Sequence, residues 1–217
     1  MQRIVRVRPD DLDRRGRYAL VTGIVVPRPI AWVSSIDSAG VRNLAPFSFF
    51  GGISSSPPLI GISIGRRRGR KKDTLRNLEE VGEAVVHVPT EELAEAMVHS
   101  SADFPPEVDE LEAAGLTPLP AAEVRPPRIA EAPVAMECAV ERILELGDPA
   151  EPNGFVVARI LLVHLREDLW EEGKIRGDRL RAVGRLGGIS YCTVRELFEI
   201  PRPGPDATGR PSGGRAV

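Results

Sequence analysis

Residues 28–50 read RPIAWVSSIDSAGVRNLAPFSFF, two apolar runs separated by a turn. Between the runs, residues 35–40 supply Asp and Gly, which tolerate the backbone angles of a tight loop. The pattern therefore predicts an antiparallel hairpin in which residues 32–36 pair with residues 41–47. Pro46 lacks a backbone donor, so we expect it to break the second strand and to free nearby main-chain groups.

Short β-branched runs continue on both sides of this hairpin. Strands are predicted over residues 20–26, 29–36, 41–50, 58–64, 84–88, 134–141 and 154–166, and residues 189–194 form either a strand or the start of a helix. Helices are predicted from Asp73 or Thr74 to Gly82, from Thr90 onward, and over residues 107–114. Because most strands follow one another without a helix between them, the expected fold is mainly β with short helices, an antiparallel barrel.

Length and composition indicate a single globular core. The chain has 217 residues, of which 42% are hydrophobic and 28% charged, with a net charge of −2. These values argue against a disordered chain, a membrane bundle and a protein that coats nucleic acid. Two cysteines and no apolar leader or long apolar stretch predict a reduced, cytoplasmic setting without membrane association.

The predicted domain organisation has three parts. Residues 1–17 are an N-terminal extension, residues 18–200 form the domain, and residues 201–217 are a disordered tail rich in Gly, Pro and Arg. Within the domain, residues 101–132 are Pro-rich and acidic, and we interpret them as an excursion that covers a site or a partner.

Two motifs suggest chemistry without deciding it. Residues 61–65 read GISIG, which matches a serine-hydrolase elbow around Ser63, with His87, His99 and His164 as possible bases. An elbow needs a packed helix directly behind the serine, whereas a basic run follows here, so a hydrolase is only an alternative. The three histidines are too scattered to predict a metal centre.

The basic run, residues 66–72, leads directly into the predicted helix start. Lys71, Lys72, the Thr74 hydroxyl and the first free N–H groups of the helix converge there, a combination that suits a phosphomonoester. A solvated loop is the simpler interpretation of such a run. Nucleic-acid binding is the weakest alternative, because no aromatic residues interleave with the charges.

The hairpin combines features that suit a flat, polar ligand. Ala45 is small enough for a ring to approach, and Asn43 and the neighbouring serines offer short hydrogen-bonding groups. Ser34 and Ser35 are consecutive, so only one of them can reach a shared site through its side chain. An aromatic-rich core hairpin without a ligand remains the structural alternative.

With these residues in view, the chain resembles the flavin reductase-like family of FMN-binding split β-barrel proteins. The resemblance covers residues 18–200 and is strongest in two blocks, residues 28–48 and KDTLRN at residues 72–77. RLGGISY at residues 185–191 is a weaker match to the family's C-terminal element.

The resemblance implies an antiparallel split β-barrel, an FMN held in a groove of a homodimer, and NAD(P)H as co-substrate. It assigns the ring edge to main chain around the hairpin, the ribityl chain or phosphate to serines, and the phosphate to the helix start. The implied cofactor-binding residues are Ser34, Ser35, Asn43, Leu44, Ala45, Pro46, Ser48, Lys72, Asp73 and Thr74. No catalytic acid or base is expected, because the cofactor supplies the reactive atoms.

The function that follows from the resemblance is an FMN-dependent oxidoreductase that passes hydride from NAD(P)H to flavin N5. A partner oxygenase or a small molecule would then accept the electrons. An FMN-binding electron carrier without nicotinamide turnover is the first alternative, and the hydrolase built on Ser63 is the second.

Overall fold

The computed structural model of the chain describes residues 2–105 and 108–201. Its strands are β1 (Ala31–Ile36), β2 (Arg42–Phe47), β3 (Phe50–Ser55), β4 (Pro58–Ile64), β5 (Arg66–Arg67), β6 (Arg70–Lys71), β7 (Glu83–His87), β8 (Pro118–Leu119), β9 (Arg128–Ile129), β10 (Val134–Leu146), β11 (Asn153–Leu165), β12 (Trp170–Glu171), β13 (Lys174–Ile175), β14 (Val183–Arg185) and β15 (Tyr191–Thr193). Its α-helices are α1 (Arg14–Ile24), α2 (Asp73–Val81), α3 (Ala94–His99), α4 (Glu110–Ala113) and α5 (Gly177–Leu180). Short 3₁₀ turns cover Pro9–Asp11 and Glu167–Leu169.

A 7-stranded antiparallel sheet forms the centre of the fold, in the order β2-β1-β7-β10-β11-β4-β3. The two edge strands, β2 and β3, follow each other in the chain, since β2 ends at Phe47 and β3 begins at Phe50. The chain therefore passes directly from one edge of the sheet to the other, and the sheet has the topology of a split antiparallel barrel. This is the fold class that the sequence predicts.

Strand β1 is buried at every position because both faces of the sheet are covered there. On the inner face, Ala31 and Val33 pack with strand residues and with Leu75 and Leu78 of α2. On the outer face, Trp32 packs in a second cluster that includes residues of α3, α4 and β9. Helix α3 and residues within 108–132 thus supply an outer apolar layer over β1 and β2.

A buried carboxylate holds part of this outer layer against the sheet. The Glu137 side chain on β10 is fully buried and accepts N–H bonds from Ala122 (2.8 Å), Glu123 (2.6 Å) and Val124 (3.2 Å). His164 Nε2 lies 2.5 Å from the same carboxylate. Burial pushes the pKa of Glu137 up, but the hydrogen bonds outweigh it and hold that pKa below its usual value.

His87 on β7 provides a second attachment. Its Nδ1 lies 3.0 Å from the Trp32 carbonyl oxygen, and its Nε2 accepts the Ile129 N–H at 2.9 Å. Burial lowers the pKa of His87 to about 4, so the ring is neutral at pH 7 and donates through Nδ1.

The predicted strand over residues 20–26 is wrong, because these residues lie largely in helix α1. Asp13 caps this helix by accepting the Gly16 N–H at 2.7 Å. The cap precedes the β-branched run by several residues, and only Thr22 of the helix is buried. Helix α1 also runs across the boundary predicted between residues 17 and 18.

Pro46 does not break its strand. It lies inside β2 opposite Trp32, and Leu44, two residues earlier, directs its N–H away from β1. Because main-chain N–H direction alternates along a strand, the proline nitrogen also faces the open edge, where no ladder bond is lost. The break comes later, at residues 48–49, and divides the predicted strand 41–50 into β2 and β3.

Three other predictions differ in extent. The helix expected from Thr90 begins at Ala94, because Thr90 instead forms a bridge with Ala182. Helix α4 is shorter than residues 107–114, and Glu107 lies outside the described residues. Residues 191–193 form a strand paired with β14, and the predicted tail lies outside the described residues from position 202 onward.

We expect Gly154→Ala to destabilise the fold, because a Cβ at this position would lie 2.6 Å from Leu75 Cδ1 of helix α2. Overpacking of this kind costs about 1 to 3 kcal/mol of unfolding free energy. Urea denaturation measures the effect. Gly52→Ala is the control, since its Cβ would meet nothing within 4 Å. Equal stability of the two variants would mean that α2 does not depend on this close approach.

Candidate functional site

A cavity of about 510 Å³ opens between β2, the start of α2, the β5–β6 turn and residues 100–104. Six of the residues predicted to bind the cofactor line it: Asn43, Ala45, Pro46, Lys72, Asp73 and Thr74. The two sequence blocks, far apart in the chain, therefore form one wall of a single cavity.

A second cavity, of about 520 Å³, shares two lining residues with the first, Pro46 and Lys72. Ser48, the seventh predicted residue, lines this second cavity. Tyr18 and Phe49 contribute exposed aromatic rings to it. The remaining three predicted residues, Ser34, Ser35 and Leu44, line neither cavity.

A buried hydrogen-bond network ties the hairpin to the helix start. Asn43 Nδ2 donates to Thr74 Oγ1 at 2.9 Å and lies 3.4 Å from Ser35 Oγ. Asn77 Nδ2 donates to Ser35 Oγ at 3.1 Å. Ser35 thus supports the cavity wall from behind. Asn77 was not predicted, although its place one helical turn after Thr74 puts both on the same face of α2.

Ser34 lies on the opposite face of β1, as the alternation of a strand requires. Its side chain is fully buried, and its hydroxyl has no hydrogen-bond partner among the described residues. It lies on the Trp32 face, under the outer layer.

Lys72 is a half-buried cation at the junction of the two cavities. Its Nζ lies 5.3 Å from the centre of the Phe47 ring, and no carboxylate within the described residues forms a salt bridge with it. Burial, and then the charge of Arg67, lower its pKa. As the N-cap of α2 it offers no side-chain acceptor to the first N–H groups of the helix. The Lys72 charge without a carboxylate partner and the uncapped N–H groups of the helix both favour an anion at this point.

Asp73 and Thr74 open helix α2 with different side-chain roles. The Asp73 carboxylate pairs with Arg76 one turn later. The main-chain N–H of Asp73 is the first of the helix, where N–H groups have no partner within the helix. The Thr74 hydroxyl accepts from Asn43 and keeps its own hydrogen available to donate.

Glu110 of α4 is a cavity residue that the sequence did not indicate. Its carboxylate accepts the Leu44 N–H at 3.1 Å, across 66 positions of chain. Burial raises the pKa of Glu110 to about 6, and the charges of Asp73 and Asp109 act in the same direction. Because the Leu44 N–H donates to Glu110, it is not available to a ligand in the cavity.

Arg28 organises the neighbourhood of Ser48. Its guanidinium is buried and donates to the carbonyl oxygens of Thr22 (2.6 Å), Val25 (2.7 Å) and Leu186 (2.9 Å). Its Nε lies 3.4 Å from Ser48 Oγ. Arg28 therefore joins helix α1 and the C-terminal element, residues 185–191, to the hairpin.

The serine-hydrolase alternative has no support in the structure. Ser63 lies within β4 opposite Phe155 of β11, not at a strand-to-helix turn, and its N–H donates to the Phe49 carbonyl oxygen. In the part of the chain that the structure describes, no cluster of His, Cys, Asp and Glu is arranged to hold a metal ion. Within the same residues, no helix combines the length and apolar character needed to cross a membrane.

Comparison with known proteins gives a consistent result. Residues 23–178 match the model of the flavin reductase like domain. An uncharacterized protein of Halalkalibacterium halodurans is 44% identical over 202 residues, covering 92% of this chain and 97% of the relative.

Two solved structures are similar along nearly the whole chain. Nitrilotriacetate monooxygenase component B from Bacillus cereus is 36% identical with a TM-score of 0.89, covering 92% of this chain and 100% of that one. The 2-nitrobenzoate 2-nitroreductase of Pseudomonas fluorescens is 34% identical with a TM-score of 0.84, covering 97% and 100%.

We expect Glu110→Gln to change how stability depends on pH. A carboxyl whose pKa is about 6 in the folded state, against 4.5 ordinarily, stabilises the fold below pH 4.5, and this contribution is lost as the pH rises through 6. The shift corresponds to about 2 kcal/mol. Between pH 4.5 and 7.5, wild-type unfolding free energy should therefore fall relative to the variant by up to that amount, measured in urea.

Glu112→Gln is the matched control, since Glu112 is exposed on the same helix. Parallel pH profiles of unfolding free energy for wild type and Glu110→Gln would contradict the prediction, because they would mean that the pKa of Glu110 is the same in the folded and unfolded states.

Proposed function

Since the chain belongs to the flavin reductase like family, we propose that it is an FMN-binding oxidoreductase that transfers hydride from NADH or NADPH to the flavin. The observation that carries the proposal is the convergence of the hairpin and the start of α2 on one cavity wall, with Lys72 between two cavities. The similarity to a monooxygenase component and to a nitroreductase supports an oxidoreductase.

The residues present fit the phosphate of FMN. Lys72 is half-buried without a carboxylate partner within the described residues, and the first turn of α2 has no side-chain cap from its N-cap residue. The Thr74 hydroxyl can donate alongside these groups. Lys72, Thr74 and the N–H of Asp73 would therefore hold the phosphate through charge-assisted bonds.

The outer edge of β2 fits a flat ring. Ala45 and Pro46 present small and apolar surface there, and the proline offers no donor toward the cavity. Asn43 is held by Thr74 behind this edge, so the edge keeps its position relative to the phosphate-binding groups. Ser48, beyond Pro46, would reach the ribityl chain from the second cavity.

Bound FMN would supply the electrophilic nitrogen that accepts hydride. The chain's own residues would position the ring, exclude water on the β2 side and neutralise negative charge with Lys72. No general acid or base is required of the protein for this transfer, because the flavin and the nicotinamide supply the reacting atoms.

We further infer a homodimer, with a partner oxygenase or a small molecule as the electron acceptor. Phe49 and Ile53 support the homodimer, because they are exposed apolar residues on the edge connection and on β3, and Phe49 also lines the second cavity.

We expect the double variant Lys72→Ala/Thr74→Ala to bind FMN more weakly by about 2 to 4 kcal/mol, because a charge-assisted bond and a hydroxyl contact are lost together with the Asn43–Thr74 hydrogen bond that holds the cavity wall. Quenching of FMN fluorescence on titration with protein measures the affinity. Lys174→Ala, exposed on β13, is the control for loss of a lysine charge. Unchanged affinity in the double variant would mean that the phosphate binds elsewhere.

Purified protein supplied with FMN should oxidise NADH or NADPH under steady-state conditions, recorded as the loss of nicotinamide absorbance. Anaerobic titration with each nicotinamide should bleach the flavin spectrum. A protein that binds FMN but is reduced by neither nicotinamide would be an electron carrier. A protein that does not bind FMN would refute the proposed function.

A further inference from the structure

The turn between β5 and β6 carries more positive charge than one phosphate requires. Arg68 and Gly69 form its tip, both with left-handed backbone angles (φ 49° and 76°). Arg67, Arg68 and Arg70 all line the first cavity. We call residues 66–71 the cationic turn.

The cationic turn is fixed in place by contacts at its base and its tip. The Gly69 N–H donates to Glu151 Oε1 at 2.9 Å, and Arg66 Nε donates to the Pro152 carbonyl oxygen at 2.9 Å. Arg66 also pairs with Glu145 at 2.8 Å. These contacts anchor the turn to the β10–β11 connection, so the backbone that carries the remaining arginines is already ordered.

Three of the cations that line this cavity form salt bridges. Arg67 pairs with Asp103, Arg76 pairs with Asp73, and Lys71 pairs with Glu79 at 2.7 Å.

Arg68, Arg70 and Lys72 form no salt bridge within residues 2–105 and 108–201. Lys72 and the α2 terminus together match one phosphomonoester, whose charge is about −1.5 to −2. Arg68 and Arg70 remain available to a second anion in the same cavity.

We propose that Arg68 and Arg70 bind phosphate groups of the nicotinamide dinucleotide that reduces the flavin. The inference rests on the proposed function, because hydride transfer requires the nicotinamide to reach the flavin in this cavity. Every nicotinamide dinucleotide carries a pyrophosphate, and NADPH carries an additional 2′-phosphate. Arginine suits either group, since its planar fork of donors matches phosphate oxygens in pairs.

The test compares Arg68→Gln/Arg70→Gln with wild type in steady-state assays with NADH and with NADPH at saturating FMN. We expect kcat/KM to fall about 10- to 100-fold, mainly through KM, because two solvent-exposed charge-assisted contacts to phosphate are lost. FMN affinity should stay within about twofold, since Lys72 and Thr74 are intact.

The charge-matched control is Arg142→Gln/Arg159→Gln, which removes two exposed arginines of β10 and β11 outside both cavity walls. It should leave both kcat/KM values nearly unchanged. A loss confined to NADPH would assign the turn to the 2′-phosphate, and an equal loss for both donors would assign it to the pyrophosphate. Unchanged values for both donors in Arg68→Gln/Arg70→Gln would overturn the inference.

Titration of the FMN-loaded protein with NAD⁺ and NADP⁺ separates this inference from the proposed function. A wild-type protein that binds FMN but neither dinucleotide would overturn the role of the cationic turn and leave flavin binding intact. A protein that takes no FMN would overturn the proposed function and the inference with it.

Discussion

The hydrogen bond from Asn43 to Thr74 is the constraint on which the cavity depends. Both side chains are almost completely buried, so neither can leave the other without stranding a polar group in the interior. Asn77 and Ser35 extend the network from the helix into β1. The open edge of β2 and the first turn of α2 therefore move as one body, which fixes the distance between the groups suited to a ring and those suited to a phosphate.

Sequence reasoning succeeded where the signal was local. The hairpin turn specified the register that places Ser35 opposite Asn43, and Gly82 ends α2 in the left-handed conformation expected of a C-cap. The β-branched residues of α1 favour a strand, but the helix is set by the Asp13 cap upstream and by the hydrogen bond from Arg28 to the Thr22 carbonyl oxygen. Intrinsic strand preference is weak and yields to such tertiary contacts.

The outer layer includes core contacts that composition does not indicate. Residues 101–132 look like a polar excursion, yet Leu111 and Ile129 pack onto the Trp32 face of the sheet. The layer is held by single buried groups, Glu137 and His87, whose partners are main-chain N–H groups that leave no trace in sequence. Glu110 likewise accepts a main-chain N–H, that of Leu44, so nothing in the sequence indicates its place on the cavity wall.

Lys72 lines both cavities but carries only one ammonium group. An anion that neutralises it from one side reduces the electrostatic attraction felt by an anion on the other. By thermodynamic linkage the effect is mutual, so an anion bound in either cavity lowers the affinity of the other cavity for an anion by the same factor. Two anions that share this counter-charge would therefore each weaken the binding of the other.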